Sequence, residues 1–217
     1  MDSGGVISSA NTGTGTAGSV LIDTTGPVKL RHGSSISTLA RVGDAGSIDI
    51  ISDGVVKLSG QSNITVSGGR NGGDIHITAP DLVYLIDSQI TATAGRNGRN
   101  GKGGNITIDP QFIVLNNSLI SANAAVGQGG NINLVSDFFF NSNSLITATG
   151  TTNGTVNISA PPLDLGAELI TLPISLLSAE NQLQERCTAL LQGDFSSFIS
   201  IGRGGTEPEP DELGTTF

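Results

Sequence analysis

One short pattern recurs along most of the chain and limits the possible folds more than any other feature. It consists of a small residue, a variable residue, and two apolar residues separated by one position, and it returns at steps of about 24 to 31 residues. The leading apolar residues of its six copies are Val20, Ile48, Ile75, Ile106, Ile132 and Val156. A pattern with this period indicates a repeat protein, in which each unit packs only against its neighbours.

Two further apolar segments follow the pattern in each complete unit. The second segments are Val28–Leu30, Val55–Leu58, Leu82–Leu85, Phe112–Leu115 and Phe138–Phe140, and the third segments centre on Ile36, Ile64, Ile90, Ile120 and Ile146. Each unit therefore contains three short strands. A β-sandwich also has short strands, but it does not repeat one motif at this period.

The alternation of apolar and polar residues within these segments indicates strands with one buried face. If each strand pairs with its copy in the next unit, about 4.8 Å away, the inward side chains form continuous apolar rows. We therefore predict an all-β fold, a parallel β-helix with three strands per coil. We expect it to be right-handed, because parallel crossovers nearly always are. Glycine, which makes up 31 of the 217 residues, would serve the corners between strands.

The first residues resemble the third strand of a unit rather than a cap. Gly5–Ala10 matches Ser118–Ala122, and Ile7 precedes Ile36 by about one repeat. An uncapped stack exposes strand edges. We therefore expect this chain to be the C-terminal part of a longer protein.

The distribution of charge divides the chain near its paired prolines, Pro161 and Pro162. Residues 1–160 carry 10 acidic and 8 basic residues, whereas residues 161–217 carry 9 acidic and 2 basic ones. We assign 1–160 to the β-helix repeats and 161–203 to a C-terminal cap. The apolar spacing of Leu183, Cys187 and Leu190 predicts a short capping helix over about 179–191. Residues 204–217, which are acidic and contain prolines, predict a disordered tail.

Two regions carry a resemblance to a known family. The sequences Gly-Gly-Asn-Ile-x-Ile/Leu at 103–108 and 129–134 resemble the β-helical stalks of filamentous haemagglutinin-like exoproteins, which bacteria export by two-partner secretion. The ending also resembles a recurrent C-terminal region of such proteins, through Leu172-Pro173, Leu176–Ala179, Gln182-Leu183, Arg186-Cys187, Ser196–Phe198 and Gly202–Gly205. The resemblance implies a secreted or surface-attached bacterial adhesin or stalk, without catalysis. It also implies an outer-membrane partner transporter for the full-length protein, whose secretion domain has no counterpart in this chain.

Two edges of the predicted β-helix carry charged residues. The turn after the third strand holds most of the bases of the repeats, Arg41, Arg70, Arg96, Arg99 and Lys102, with Asp44 opposing them. This basic edge is either a solvated loop or a site that attracts an anionic glycan or surface. The turn after the first strand holds Asp23, Asp53, Asp81, Asp109 and Asp137, which we interpret as turn-forming residues.

The sequence gives little support for a catalytic, metal, cofactor or nucleic-acid site. Two distant histidines and one cysteine make neither a catalytic triad nor a metal site, and no motif for a cofactor is found. A net charge of −9 and the absence of a long apolar stretch indicate neither nucleic-acid binding nor a membrane span. The turn after the second strand carries asparagine in three coils, and this predicts a structural ladder of stacked side chains: Asn63, Asn116, Asn117, Asn141 and Asn143.

Two alternatives to an adhesin remain open. The first is a polysaccharide lyase or hydrolase, for which Asp49 and Asp74 would have to lie side by side as paired carboxylates. The second is ice binding through the Thr-x-Thr pairs Thr91/Thr93 and Thr147/Thr149. Segments 64–66 and 120–122 are expected to interrupt such a threonine array.

Overall fold

The structure, a computed structural model, describes residue 1, residues 4–95 and residues 100–161. The chain divides into two units, Met1–Leu163 and Asp164–Phe217. The predicted cap, its helix over 179–191 and the acidic tail lie outside the described residues and stay predictions.

The described residues form a parallel β-solenoid of three main sheets and five complete coils, as the repeat predicts. Sheet A contains the third strand of each coil and one preceding strand: β1 (Val6–Asn11), β4 (Ser35–Ala40), β7 (Asn63–Gly68), β10 (Gln89–Thr93), β14 (Leu119–Ser121) and β18 (Leu145–Thr147). Sheet B contains the first strands: β2 (Val20–Thr24), β5 (Ile48–Ser52), β8 (Ile75–Thr78), β12 (Ile106–Asp109), β16 (Ile132–Val135) and β19 (Val156–Ser159). Sheet C contains the second strands: β3 (Val28–Leu30), β6 (Val55–Ser59), β9 (Leu82–Ile86), β13 (Phe112–Asn116) and β17 (Phe138–Ser142).

A small fourth sheet lies outside the three-sheet pattern. Sheet D joins β11 (Asn100–Lys102) to β15 (Val126–Gln128), in the turns that lead from sheet A to sheet B. These two turns are long enough to pair with each other. The repeat pattern did not predict this sheet, because it follows from turn length and not from apolar spacing.

The pairing register confirms the alignment of the repeats. The leading residue of each unit pairs with that of the next, from Val20 with Ile48 to Ile132 with Val156. Ile7 of β1 pairs with Ile36 of β4, so the described chain starts within a coil, in the third-strand position. Each strand therefore hydrogen-bonds to its own copy in a neighbouring unit.

The core consists of inward rows of branched aliphatic side chains. In sheet A, the row formed by Ile36, Ile64, Ile90 and Ile120 is completely buried. Matching rows from sheets B and C, which include Ile48, Ile75, Val56 and Leu85, complete one continuous cluster. Burial of an aliphatic side chain of this size contributes about 1.5–3 kcal/mol. These rows are therefore the main source of stability in the solenoid.

The glycine that begins each repeat is required by close contact between coils. Gly46, Gly73, Gly104, Gly130 and Gly154 each lie so near the carbonyl oxygen of the preceding repeat's glycine that an added Cβ would clash with it. None of these glycines has a positive φ among the described backbone angles. Their role is thus the close approach of two backbones and not a special backbone conformation.

Replacing Gly104 by Ala should destabilise the solenoid. The new methyl group would meet the backbone of Gly73, which cannot move without displacing its own coil. We expect the free energy of unfolding to fall by about 1–3 kcal/mol, measured by denaturant titration.

Gly26→Ala is the matched control, because its nearest neighbour is the Thr24 hydroxyl at 4.0 Å. Equal losses of stability in the two variants would contradict the close-approach explanation.

Candidate functional site

The predicted basic edge lies in the turns between sheets A and B. Arg41 follows β4, Arg70 follows β7, and Lys102 belongs to β11, whereas Arg96 and Arg99 lie outside the described residues. The three described bases occupy different rows of the stack. Lys102 pairs with Gln128, Arg70 borders Gly101, and Arg41 lies one residue beyond the pairing of Ala40 with Gly68. The described part of the basic edge is therefore a scattered set of charges and not a single column.

Arg70 is already engaged within the protein. Its Nε and Nη2 atoms donate hydrogen bonds to the two carboxylate oxygens of Asp44, each at 3.0 Å. This hydrogen bond with Arg70 lowers the pKa of the Asp44 carboxyl, against the opposing effect of partial burial. Asp44 also accepts a hydrogen bond from the backbone of Asn71, at 3.1 Å. The pair thus clamps two successive turns together and compensates the charge of Arg70.

The aspartates of the opposite edge do not converge. Asp109 pairs with Thr78 in sheet B, whereas Asp137 lies in the row of Gln111 at the entrance to sheet C. Asp23 pairs with Ile51, which in turn pairs with Thr78. Among the described residues, no cluster of three or more potential metal ligands is found. This spread agrees with their interpretation as turn-forming residues.

The carboxylates proposed for catalysis are not directly opposite each other. Asp49 pairs with His76, and Asp74 lies two residues earlier, in the row of Ser47. Asp49 accepts a hydrogen bond from Ser47 Oγ at 2.9 Å, and Asp74 accepts one from the Asn105 side chain at 2.9 Å. Asp49 and Asp74 therefore do not lie side by side, as the enzymatic alternative requires, because the register offsets them by two residues.

Polar side chains form ladders at two corners of the solenoid. At the corner between sheets C and A, Asn117 donates to Asp87 at 2.6 Å, and Asn143 donates to Asn117 at 3.3 Å. This confirms the predicted stacking for Asn117 and Asn143, although Asp87 was not predicted to join them. Asn63 instead accepts a hydrogen bond from Ser35, in sheet A.

A second ladder, absent from the sequence predictions, precedes the strands of sheet B. The Asp74 carboxylate accepts from the backbone of Asn105, the Asn105 side chain accepts from the backbone of Asn131, and the Asn131 side chain accepts from the backbone of Thr155. These residues all occupy the variable position after the leading glycine. The order Asp, Asn, Asn, Thr at this position in successive repeats is the sequence signal for the ladder.

A buried serine supports four of the five corners between sheets C and A, and the sequence predictions missed this row. The hydroxyls of Ser34, Ser62, Ser88 and Ser118 each donate to a carbonyl two or three residues earlier. The residue just before each of these serines has a positive φ: Gly33, Gln61, Asp87 and Asn117. A serine directly after a turn residue in every coil was the available signal.

The outer face of sheet A carries two rows of small, mainly polar side chains. The first row contains a hydroxyl in all six strands: Ser8, Ser37, Thr65, Thr91, Ser121 and Thr147. In the second row, Thr93 lies beside Ser67, while Asn123 and Leu39 carry no hydroxyl. The Thr-x-Thr array is interrupted in the strands of segments 64–66 and 120–122, since Ser67 and Ser121 lie where it would need threonine. Thr65 and Ser121 still continue the hydroxyl groups of the first row. Half of that row is nevertheless serine and not threonine.

The outer face of sheet C is apolar and aromatic. Phe112 and Phe138 stack with their ring centroids 4.9 Å apart, and the Lys57 ammonium lies 5.0 Å from the centre of the Tyr84 ring. Phe140 is 46% exposed. Sequence reasoning missed this face, because the sheet C segments are almost continuously apolar and do not distinguish the inward from the outward positions.

Comparisons with known proteins give no match to a family model, to a curated protein or to a solved structure. No helix in the described part of the chain is long and apolar enough to cross a membrane.

Replacing Asp44 by Asn should remove the ion pair with only a small loss of stability. The pair is partly exposed, so at about pH 7 we expect a loss of less than about 1 kcal/mol in the free energy of unfolding. Because folding lowers the pKa of Asp44, its stabilising effect exists above the usual carboxyl pKa and disappears as the pH falls through the lowered value. Denaturant titrations should therefore show a difference between wild type and variant at neutral pH that vanishes in acid.

The basic edge should bind sulfated glycan if its charges act as a site. Substituting Arg96, Arg99 and Lys102 by Ser should then weaken binding to heparin by at least about fivefold at low ionic strength. Asp44→Asn should strengthen it, because Arg70 loses its compensating partner. Calorimetry measures both effects. Unchanged binding in the triple variant, or no binding by the parent, would show that the edge is a solvated loop.

Proposed function

We propose that this chain is the C-terminal part of a secreted or surface-attached bacterial adhesin or stalk of the filamentous haemagglutinin type, without catalytic activity. The proposal rests on the resemblance of its repeats and its ending to those exoproteins. It places the chain outside the cell or on its outer surface. It also assigns an outer-membrane transporter as the partner of the full-length protein.

The observation that best supports a structural role is how the polar surface is used. Carboxylates on the outside of the coils are bound to groups in adjacent coils: Asp44 to Arg70, Asp74 to Asn105 and Asp87 to Asn117. A general acid or base needs a carboxyl group that is within reach of a substrate proton. Here these carboxylates hold neighbouring turns together, which suits a stiff stalk better than a hydrolytic site.

The geometry of the solenoid also suits a spacer. Each coil adds about 4.8 Å along the axis, so the six strands of sheet A extend over roughly 24 Å. Further coils before the first one would lengthen the stack without changing its cross-section. In this proposal, the side faces of the stack present the binding groups.

One pair of residues on sheet B favours the enzymatic alternative. Asp49 pairs with His76 on the outer face of sheet B, which sets a carboxylate beside an imidazole. Such a pair could serve a polysaccharide lyase or hydrolase as base and acid. Both readings predict contact with polysaccharide, but only the enzymatic one predicts cleavage.

We expect beads coated with the full chain to attach to surfaces bearing polysaccharide and to leave the polymer intact. Attachment is counted by microscopy, and cleavage is followed as new reducing ends or as the absorbance of unsaturated products from polygalacturonate. Beads coated with heat-unfolded protein serve as the control.

Cleavage of the polymer by the parent chain, if it is lost in Asp49→Asn, would contradict the non-catalytic adhesin and support the enzymatic alternative. Equal attachment of folded and unfolded protein, or none, would contradict an adhesive role.

A further inference from the structure

A groove of about 670 Å³ runs along the outer face of sheet A. Its lining runs from Ser8 in β1 to Thr149, which lies two residues beyond β18, so all six levels of the sheet or the residues that follow them contribute to it. The groove is therefore parallel to the solenoid axis. A site with this direction fits an extended polymer better than a compact small molecule.

Hydroxyl groups form the floor of the groove. Ser8, Ser37 and Thr65 contribute from the first outward row, and Ser67 and Thr93 contribute from the second. They are aligned by hydrogen bonds between coils, from Ser37 to Ser8 at 3.1 Å and from Thr93 to Ser67 at 3.4 Å. A hydroxyl group both donates and accepts, so such a floor can match a ligand that presents hydroxyl groups of its own.

Among the described residues, the lining carries no charged side chain. Its remaining described members are uncharged: Thr38, Leu39, Ala94, Asn123, Ala124, Ala125 and Thr149. A sulfate or carboxylate entering the groove would lose hydration without gaining a cationic partner. This distinguishes the groove from the basic edge and favours an uncharged ligand.

The spacing of the floor also selects for a repeating ligand. Neighbouring coils are about 4.8 Å apart. Each level contributes one polar side chain or more to the lining, through Ser8, Ser37, Thr65, Thr93, Asn123 and Thr149. Each pyranose unit of an extended glycan adds a length close to this strand spacing. A linear glycan lying along the axis can thus present one sugar to each coil, with its hydroxyl groups toward the floor and its C–H groups toward the alanine and leucine side chains.

We infer that this groove binds an uncharged, linear glycan chain aligned with the solenoid axis. The inference rests on the proposed function for its biological use, because it names the ligand class that an adhesin of this kind would hold. None of the described residues of the basic edge, Arg41, Arg70 and Lys102, lines this groove, whereas that edge would take anionic glycans through charge.

The test uses the full chain and four soluble probes: cellohexaose, laminarihexaose, maltohexaose and a heparin hexasaccharide. Calorimetry and ligand-observed NMR should detect binding of at least one neutral probe, with an affinity that changes less than twofold between about 0.05 M and about 0.5 M salt. No neutral binding at millimolar probe, or neutral binding that fails in high salt, would overturn the inference.

The double variant Thr65→Val/Thr93→Val tests the floor itself, since valine keeps the shape and removes two hydroxyl groups. We expect the affinity for the neutral probe to fall about tenfold or more, as for the loss of two hydrogen bonds. Thr107→Val is the matched control, because Thr107 also points outward from a strand, on sheet B. Equal losses in the double variant and the control would overturn the assignment of the site.

Bead attachment separates this inference from the proposed function. Attachment that persists in the double variant, together with no oligosaccharide binding by the parent, would overturn the groove and leave the adhesin standing. Oligosaccharide binding without any surface attachment would support the groove and contradict the adhesin.

Discussion

The parallel pairing of each strand with its own copy is the constraint on which this molecule depends. Because the copies pair in register, every residue in a strand contacts the equivalent residues of the neighbouring coils. An inward side chain must then pack against the equivalent side chain of the next coil, and rows of isoleucine, valine and leucine do so. The leading glycines satisfy it at the tightest point, where one backbone rests on the next. A side chain there would separate two coils and loosen every row beside them.

The same constraint shapes the outer surface, where equivalent residues of neighbouring coils lie side by side, as Lys29 and Lys57 do in sheet C. Acidic residues in the rows are followed by residues that can donate to them: Asp87 by Asn117, and Asp74 by Asn105. Across a turn, Asp44 is matched with Arg70. The three outer faces consequently differ in character. Sheet A presents hydroxyl groups along a groove, sheet C presents aromatic side chains, and sheet B presents a mixed polar row that includes Asp49 and His76.

Much of the fold followed from apolar spacing, since the three strands of each coil and their inward rows recur with the repeat. The candidate sites were less accessible to that reasoning. The register offsets Asp49 and Asp74 by two residues, so they do not form the paired carboxylates that the enzymatic alternative needs. The row of Thr91 keeps a hydroxyl group at Thr65 and Ser121, although it is not a continuous threonine array. Pairing register, and not position in a motif, decides which outward side chains meet. The capping helix over 179–191 remains a prediction from helical spacing alone.

The sequence by itself determined that apolar and polar residues alternate within the strands, that the apolar residues point inward and that the units stack. The physical reason is that stacking buries the repeated aliphatic residues of all units in one core. Only the tertiary structure decided which surface groups become neighbours. Turns differ in length between coils: three residues separate Ser59 from Asn63, whereas two separate Ile86 from Gln89, yet both pairs remain in register. A fixed repeat length therefore does not give the partner of a residue after a turn of different length. The backbone hydrogen bonds between neighbouring strands set that partner.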